Sequence, residues 1–503
     1  MSILRRPSKA DLARLGSAMN LNLSEQELDH FSELVDETLT DYDRIENLPD
    51  PVHSNVPAIR IVGGRPSSAD DPHNAVVRTV SVKLPDVTGP LSGKRIGAKD
   101  TISIAGVPMS CGSRLLYDYT PTEDATVVER VLRAGGEITA VLNTDDFAFS
   151  GGGHTSAYGV TFNPRDGSSM AGGSSCGSAA AVVDGIVDIA LGGDQGGSIR
   201  IPASWSGLVG HKPTHGLAPY TGIVGFDQSI DHVGPMTATV SDAALLLAVI
   251  AGKDTVRNDP RQPDTVPTED YAAALTGDIK GVRIAVVAEG FGAKDSDPYV
   301  DQTVRDAIAV LQKLGAEVHE VSVPDHAVAK YQWTAVAGEG GVDSFYHGHH
   351  AYQTKGWYDP RLISAMKRGI KTNGGDFSET VKMGVLVAAY MQEQYNGTFY
   401  ARGRNFANSL TADYDRLFET YDLAVMPTTR MRAHELPDLR DRRAVVRQAL
   451  DMTSNTCVFD LTGHPSVSVP CKNVDGLPIG LMLTGPYFSD ARVLNAAYAY
   501  EQA

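Results

Sequence analysis

The chain has 503 residues, 42% of them hydrophobic and 21% charged, which is the composition of an ordinary globular protein. The formal net charge of −17 disfavours nucleic acid as a partner. No run of 18 apolar residues is present and the first residues lack the apolar core of a signal peptide, so we expect no membrane segment. Four widely spaced cysteines without a C-x-x-C pair predict reduced thiols in a cytoplasmic protein.

Residues 1–70 are predicted to form a helical extension and a connecting arm. Ser24 and Glu27 have the spacing of a helix capping box. Apolar residues then recur at helical spacing, namely Leu28, Phe31, Val35, Leu39 and Tyr42. This stripe either packs against the main body or forms a dimer surface, and a homodimer is the expected assembly. Residues 48–74 are rich in Pro, Gly and Ser, which is typical of an arm.

Residues 71–503 alternate between predicted strands and helices, which favours one large α/β unit. The predicted strands are 94–99, 138–142, 187–191, 282–287, 318–323, 423–426, 466–469 and 479–483. The predicted helices are one capped by Asp124 that runs through Ala134, then 298–314, most of 384–420, and one that begins at Ala491. The sequence contains no internal repeat.

The stretch 172–200 carries three serines on glycine-rich loops, Ser174, Ser175 and Ser198. Glycines beside a serine let the backbone approach a ligand and free N–H groups to point at it. Acyl transfer requires such an exposed hydroxyl with hydrogen-bond donors nearby. The small residues between the loops predict a helix that leads into the strand 187–191.

Lys99 lies at the C-terminal end of a predicted strand, where sites in α/β sheets gather. A lysine there is most often a solvated surface charge, but burial would lower its pKa and let it act as a base. A third glycine loop, 151–156, is either a turn or a wall of the same site. Its His154 is a catalytic base, a structural residue or a substrate contact.

Other motifs in the sequence give weaker support for a functional site. The cluster of His347, His349 and His350 lacks a carboxylate or cysteine at ligand spacing, so we predict no metal. No phosphate-binding or dinucleotide-binding glycine pattern is present, so we predict no cofactor. Residues 173–177 match the nucleophile elbow G-x-S-x-G, yet 165–170 do not form the core strand that it needs. Two serine loops and a lysine favour hydrolysis by a Ser–Lys type of catalysis.

From about Leu91 to its end, the chain resembles the amidase signature family. The motifs that carry the resemblance are GGSS at 172–175, GDQGGSIRIP at 193–202, KPT at 212–214, DHVGPM at 231–236, MPTT at 426–429 and LTGHP at 461–465. The separations of 75 residues from Lys99 to Ser174 and of 24 from Ser174 to Ser198 also fit the family. Within it, the chain is most similar to amidases associated with nitrile hydratases, through GGDQGGSIRIP, residues 211–222 and 391–405, and the helical extension.

The resemblance implies a single α/β core, with a twisted mixed β-sheet covered by helices on both faces. It implies that Ser198 is the nucleophile and that Ser174, after a cis peptide bond, bridges it to a neutral Lys99. The implied oxyanion hole consists of the backbone N–H groups of Gln195, Gly196, Gly197 and Ser198. The implied substrate contacts are Gly152, Gly153, His154 and Thr155.

Two further implications concern neighbours of the serines. Asp194 and Arg200 are expected to hold the nucleophile loop by an ion pair rather than to act on substrate. Cys176 departs from the family, in which a small residue is usual at this position. Its thiol is expected to change the width of the pocket or to make the enzyme thiol-sensitive, while the three catalytic residues stay intact.

The implied activity is hydrolysis of a carboxylic acid amide to the acid and ammonia through an acyl-enzyme. A carbamate or ester hydrolase with the same residues remains open, as does the glutamine-hydrolysing subunit of a tRNA-dependent amidotransferase. An inactive scaffold is disfavoured because all three catalytic residues are present. The substrate stays open; residues 331–333 and 345–346 would shape an apolar pocket or belong to the core.

Overall fold

The computed structural model describes residues 4–51, 56–346, 354–472 and 474–503, without the side chains of 342–346. The predicted cluster of His347, His349 and His350 lies outside these ranges. The chain divides into two units, Met1–His53 and Ser54–Ala503. In the described ranges, no helix is long and apolar enough to cross a membrane.

The first unit contains two helices, α1 (Lys9–Ala18) and α2 (Glu25–Glu46). The predicted capping box is confirmed, because the Ser24 side chain accepts from the Glu27 N–H and the Glu27 side chain accepts from the Ser24 N–H. Lys9 joins the two helices through ion pairs with Glu25 (2.9 Å) and Asp29 (2.6 Å). The unit is therefore a hairpin of two helices, whereas the sequence predicts helical structure here without predicting the hairpin.

The second unit contains all the strands and the other helices. The strands are β1 (Ile59–Val62), β2 (Val76–Lys83), β3 (Arg95–Lys99), β4 (Glu137–Leu142), β5 (Phe162–Asn163), β6 (Asp166–Met170), β7 (Ile189–Asp194), β8 (Val209–Lys212), β9 (His232–Thr237), β10 (Arg283–Val287), β11 (Glu317–Val321), β12 (Leu423–Pro427), β13 (Ser466–Pro470) and β14 (Gly480–Thr484). The helices are α3 (Thr126–Arg133), α4 (Cys176–Val183), α5 (Arg200–Ser206), α6 (Val240–Ile250), α7 (Pro298–Lys313), α8 (Ala329–Tyr346), α9 (Pro360–Asn373), α10 (Glu379–Tyr395), α11 (Thr398–Thr420), α12 (Arg442–Arg447), α13 (Cys457–Leu461) and α14 (Asp490–Gln502).

Twelve of these strands form one mixed sheet in the order β1-β2-β4-β3-β7-β9-β8-β13-β14-β12-β10-β11. The pairs of β3 with β4 and β7, and of β10 with β11 and β12, are parallel, whereas the others are antiparallel. The predicted α/β class is confirmed. The small pair β5–β6 stands apart from this sheet, so the segment before Ser175 is not a core strand.

Both faces of the large sheet are covered, as β7 shows. Successive strand residues point to opposite faces, and Ile189 and Leu191 belong to one hydrophobic cluster while Ala190 belongs to another. The first cluster includes side chains of α3 and α6, and the second includes side chains of α4 and α5. All six residues of β7 are buried, because helices lie on each side of the strand.

One predicted helix start is wrong. α3 begins at Thr126, and its N-cap is Ala125, which makes no side-chain capping bond. Asp124 instead accepts hydrogen bonds from the Arg60 guanidinium at 2.5 and 2.9 Å and from the Ala105 N–H at 2.8 Å. The carboxylate that was expected to cap the helix is thus engaged by a residue 64 positions away, which local sequence does not reveal.

Candidate active site

The sheet brings the predicted catalytic segments together at one edge. β3 and β7 are parallel neighbours with Ile96 opposite Ile189, so their C-terminal ends emerge on the same side. β3 ends at Lys99, and β7 ends at Asp194, immediately before the loop that carries Ser198. This is the edge at which sites gather in α/β sheets.

Lys99 is buried beside Ser174. The residue is 1% exposed, and its Nζ is 2.6 Å from Ser174 Oγ. The Gly173–Ser174 peptide bond is cis, as the resemblance implies. Burial lowers the pKa of Lys99 to about 8, although the negative charges of the nearby Asp145 and Asp194 oppose this shift. A substantial fraction of the side chain is therefore neutral near physiological pH and can accept a proton.

The three serines differ in their access to ligand. Ser198 lines a cavity and is 8% exposed, whereas Ser174 and Ser175 are fully buried. Ser175 Oγ donates to Gly193 O at 3.1 Å, and its N–H donates to Ser198 O at 3.2 Å, so the two serine loops are in contact. Within the described residues, no hydrogen bond joins Ser174 Oγ to Ser198 Oγ. Of the three serines, Ser198 is therefore the one that a ligand in the cavity can contact.

Residues 195–199, which carry the expected nucleophile Ser198 and are here called the nucleophile loop, offer three of the four N–H groups expected in the oxyanion hole. The Gly197 N–H donates to Asp194 Oδ1 at 2.6 Å, so this donor is already engaged. Elsewhere in the described chain there is no hydrogen-bond acceptor for the N–H groups of Gln195, Gly196 and Ser198. Gly197 has φ 132°, a conformation that side chains disfavour, and a Cβ there would lie 2.3 Å from Thr456 Oγ1.

Two side chains from distant elements hold the carbonyl groups of this loop. The Trp333 indole N–H donates to Gln195 O at 2.7 Å, and Thr456 Oγ1 donates to Gly196 O at 2.6 Å. Because each peptide group is planar, fixing the Gln195 carbonyl also fixes the Gly196 N–H. A Cβ on Gly196 would lie 2.5 Å from the Trp333 ring, so glycine allows this close packing. Sequence reasoning missed both anchors.

A buried ion network lies beneath the loop, as expected for Asp194 and Arg200. Arg200 donates through Nε and Nη2 to the two Asp194 oxygens at 3.0 Å each, and Nη2 also donates to Asp460 Oδ2 at 2.8 Å. All three side chains are fully buried. Although burial opposes it, the charge of Arg200 lowers the pKa of Asp194, which therefore stays ionised.

The glycine loop 151–156 is placed differently from the expectation. The expected substrate contacts Gly152, Gly153, His154 and Thr155 do not line the cavity at Ser198, whereas Ser150 and Gly151 do. The N–H of Gly152 donates to Ser150 Oγ, the N–H groups of Gly153 and Thr155 donate to Asp145, and His154 Nε2 is 3.1 Å from Val445 O. His154 is buried and does not line this cavity, so Ser150 and Gly151 are the residues through which this part of the chain reaches it.

The cavity beside Ser198, here called the acyl cavity, has a volume of about 120 Å³ and mostly apolar walls. Its larger side chains are Phe149, Phe226, Trp333, Met383 and Leu450. Of the aromatic residues suggested by sequence, Trp333 lines it, while Tyr331 is 75% exposed and does not. The other walls come from segments as far along the chain as Thr453, which is 255 residues after Ser198, and the sequence holds no local signal for them.

Cys176 does not affect the cavity in the way expected. Its side chain is fully buried, lies 3.7 Å from Asn143 O and does not line the acyl cavity. Burial raises the pKa of the thiol to about 12, so it stays protonated and unreactive. The described residues contain no group of three His, Cys, Asp or Glu side chains placed to hold a metal ion.

Comparison with known proteins gives consistent results. The family model named Amidase matches residues 77–494. The chain is similar to an enantioselective amidase of Rhodococcus rhodochrous, 39% identical over 519 aligned positions that cover 100% of this chain and 97% of the relative. It is also similar to a glutamyl-tRNA(Gln) amidotransferase subunit of Geobacillus stearothermophilus, 38% identical with 83% and 84% coverage.

The fold is shared with solved structures. The crystal structure of a glutamyl-tRNA(Gln) amidotransferase subunit from Thermotoga maritima superposes with a TM-score of 0.71 and 30% identity, covering 86% of this chain and 88% of that one. The overlap includes most of the second unit's length, so the large mixed sheet is the common framework of these proteins.

Proposed function

The chain belongs to the amidase family, and from that premise we propose that it hydrolyses carboxylic acid amides to the acid and ammonia. One observation carries the proposal: Ser198 lines an apolar cavity on a loop with unpaired N–H groups, while the buried Lys99 contacts Ser174. Ser198, Ser174 after its cis peptide bond, and Lys99 are the three catalytic residues that the sequence resemblance implies. The similarity to an enantioselective amidase over the whole chain supports this activity.

In the proposed mechanism, neutral Lys99 accepts the proton of Ser174, which takes the proton of Ser198. Ser198 Oγ then attacks the amide carbonyl carbon, and the negative oxygen accepts from the N–H groups of Gln195, Gly196 and Ser198. The C–N bond breaks as Ser174 donates its proton to the leaving nitrogen and Lys99 gives a proton back to Ser174, so that ammonia departs and an ester remains on Ser198. Water attacks this acyl-enzyme by the same route and releases the acid.

The glutamine-hydrolysing alternative is less well supported by the walls of the acyl cavity. Glutamine carries an ammonium and a carboxylate that need partners when buried. The described lining contains no carboxylate for the ammonium, and its one charged side chain, Lys330, donates to Asp451 O at 3.0 Å. An amide whose acyl group is apolar beside the carbonyl fits these walls better. We therefore propose an enzyme that acts without partner subunits.

Assembly and compartment are part of the same proposal. Exposed apolar side chains on α2, among them Phe31 and Tyr42, support a homodimer. The four cysteines are free, which supports a reducing, cytoplasmic location. Sedimentation of the purified chain measures its oligomeric state, and a monomer at all concentrations would contradict the homodimer.

The activity is tested by ammonia release from the purified chain without partners. The panel contains an aliphatic amide, an aromatic amide and glutamine, with an aryl carbamate and an aryl ester followed through their alcohol products. We expect the aromatic amide to be the better amide substrate, because the cavity walls are apolar. Release only from glutamine, or only after partner subunits are added, would favour the amidotransferase alternative.

A further inference from the structure

A second cavity adjoins the acyl cavity at α10. This outer cavity has a volume of about 590 Å³ and lies between α10 and α12. Met383 and Val387 of α10 line both cavities. The two cavities are therefore neighbours, with these two side chains at their common boundary.

The outer cavity is rich in positive charge. Four cationic side chains line it, Lys382, Arg442, Arg443 and Arg447, against the single carboxylate of Glu379. Glu379 is 2.5 Å from Arg442 Nε and 3.5 Å from Lys382 Nζ, so it is already paired. In the described part of the chain, Arg443 and Arg447 take part in no ion pair. Two guanidinium groups are thus available to an anion.

This local charge is opposite to that of the whole protein. The chain carries a formal net charge of −17, which repels anions from most of its surface. A concave site with excess arginine attracts them locally, and guanidinium groups match the two oxygens of a carboxylate. Leu386, Val387 and Val446 complete the lining, so the cavity also accepts an apolar body between the two ends.

We propose that the outer cavity is a carboxylate subsite of the amidase, a proposal that rests on the function proposed above. The favoured substrates are then primary amides with an apolar spacer, an aromatic ring for example, and a carboxylate at the far end. Such molecules are monoamides of dicarboxylic acids. The spacer occupies the acyl cavity, the amide reaches Ser198, and the carboxylate binds Arg443 and Arg447.

The test compares two amides that differ in charge and little in shape, para-carboxyphenylpropanamide and para-acetylphenylpropanamide. The measured quantity is kcat/KM for the carboxylate compound divided by kcat/KM for the acetyl compound. This ratio is determined in the parent enzyme, in Arg443→Gln/Arg447→Gln, and in the control Arg440→Gln. Arg440 lies in the same segment, its side chain is 90% exposed and paired with Asp438, and it does not line the outer cavity.

We expect the double variant to lower the ratio by about tenfold, roughly threefold for each of these exposed arginines. The rate with the neutral acetyl compound should stay unchanged, as should the ratio in Arg440→Gln. Raising the salt from about 0.05 M to about 0.5 M should lower the parent ratio, since ions screen the attraction.

An unchanged ratio in the double variant, with the acetyl compound still hydrolysed, would overturn the subsite and leave the proposed function standing. Equal losses with both compounds in the double variant would also overturn it, because the arginines would then act on the fold rather than on charge. Failure of the parent enzyme to release ammonia from either compound would instead contradict the proposed function.

Discussion

Lys99 is a charged side chain in a place that disfavours charge, and its proposed role as a base follows from that burial. An ordinary lysine with pKa 10.5 is almost entirely protonated at pH 7. Lowering the pKa to about 8 raises the neutral fraction at pH 7 by about 300-fold. The contact with Ser174 at 2.6 Å places that neutral amine at the hydroxyl it is proposed to deprotonate.

The pKa of Lys99 predicts the pH dependence of the rate. The base must be unprotonated, so kcat/KM is expected to rise with pH and to level off above about pH 8. Lys99→Met should abolish turnover while the protein remains folded. A profile that is flat between about pH 6.5 and about pH 9, or turnover in Lys99→Met, would contradict the assignment.

A second buried lysine provides the control for that profile. Burial lowers the pKa of Lys212 to about 7, yet its Nζ donates to Pro213 O and it does not line the acyl cavity. Lys212→Met should therefore keep the midpoint near pH 8. Loss of the pH dependence in this variant would mean that Lys212, and not Lys99, is the group whose titration controls the rate.

At the scale of elements, the nucleophile loop is held by helices from far along the chain. α8 supplies Trp333, whose N–H fixes the Gln195 carbonyl, and the residue before α13, Thr456, fixes that of Gly196. Both contacts act on the peptide groups that are proposed to bind the oxyanion. The geometry of the loop therefore depends on elements that do not themselves react.

Trp333→Phe is expected to test this dependence. Phenylalanine keeps an aromatic wall in the acyl cavity but has no N–H for Gln195 O. We expect kcat to fall by about tenfold, less than the loss of an oxyanion donor itself, with KM changed by less than about threefold.

The matched control is Tyr331→Phe, since Tyr331 is exposed and does not line the cavity. Its kinetic constants should equal those of the parent. An unchanged kcat in Trp333→Phe, or a change in KM alone, would mean that the indole only shapes the cavity and does not position the loop.

Element bounds were largely predictable because their signals are local. β3, β10 and α7 begin and end within one residue of the predicted limits, since apolar periodicity and a proline mark them. The cap of α3 and the walls of the acyl cavity were not predictable. The Arg60 guanidinium donates to Asp124, and α10 lines the same cavity as Ser198. Both contacts join segments far apart in the sequence, so no sequence spacing predicts them.

Within the fold as a whole, Arg200 joins two segments that lie far apart in the sequence. It pairs with Asp194 at the end of β7 and with Asp460 in α13, which is 260 residues later. Sequence motifs predicted the first pair because the residues lie six positions apart on one loop. The second pair depends on the sheet order, which places β13 and β8 side by side.

Arg200→Met should be strongly destabilising. It leaves the buried, ionised Asp194 without its cation and removes the donor to the buried Asp460, which typically lowers the free energy of unfolding by about 3–5 kcal/mol. Urea denaturation of the parent and the variant measures this. Arg440→Met, which removes an exposed pair with Asp438, should change the value by less than about 1 kcal/mol. Equal small effects in the two variants would contradict a structural role for the network.

Ser198, and neither Ser174 nor Ser175, is the proposed nucleophile. A fluorophosphonate probe forms a stable adduct with an activated serine, and peptide mass spectrometry locates it. We expect one adduct on Ser198, which lines the acyl cavity, and none in Ser198→Ala. An adduct on Ser175 would favour the elbow motif, and one that persists in Ser198→Ala would contradict the mechanism.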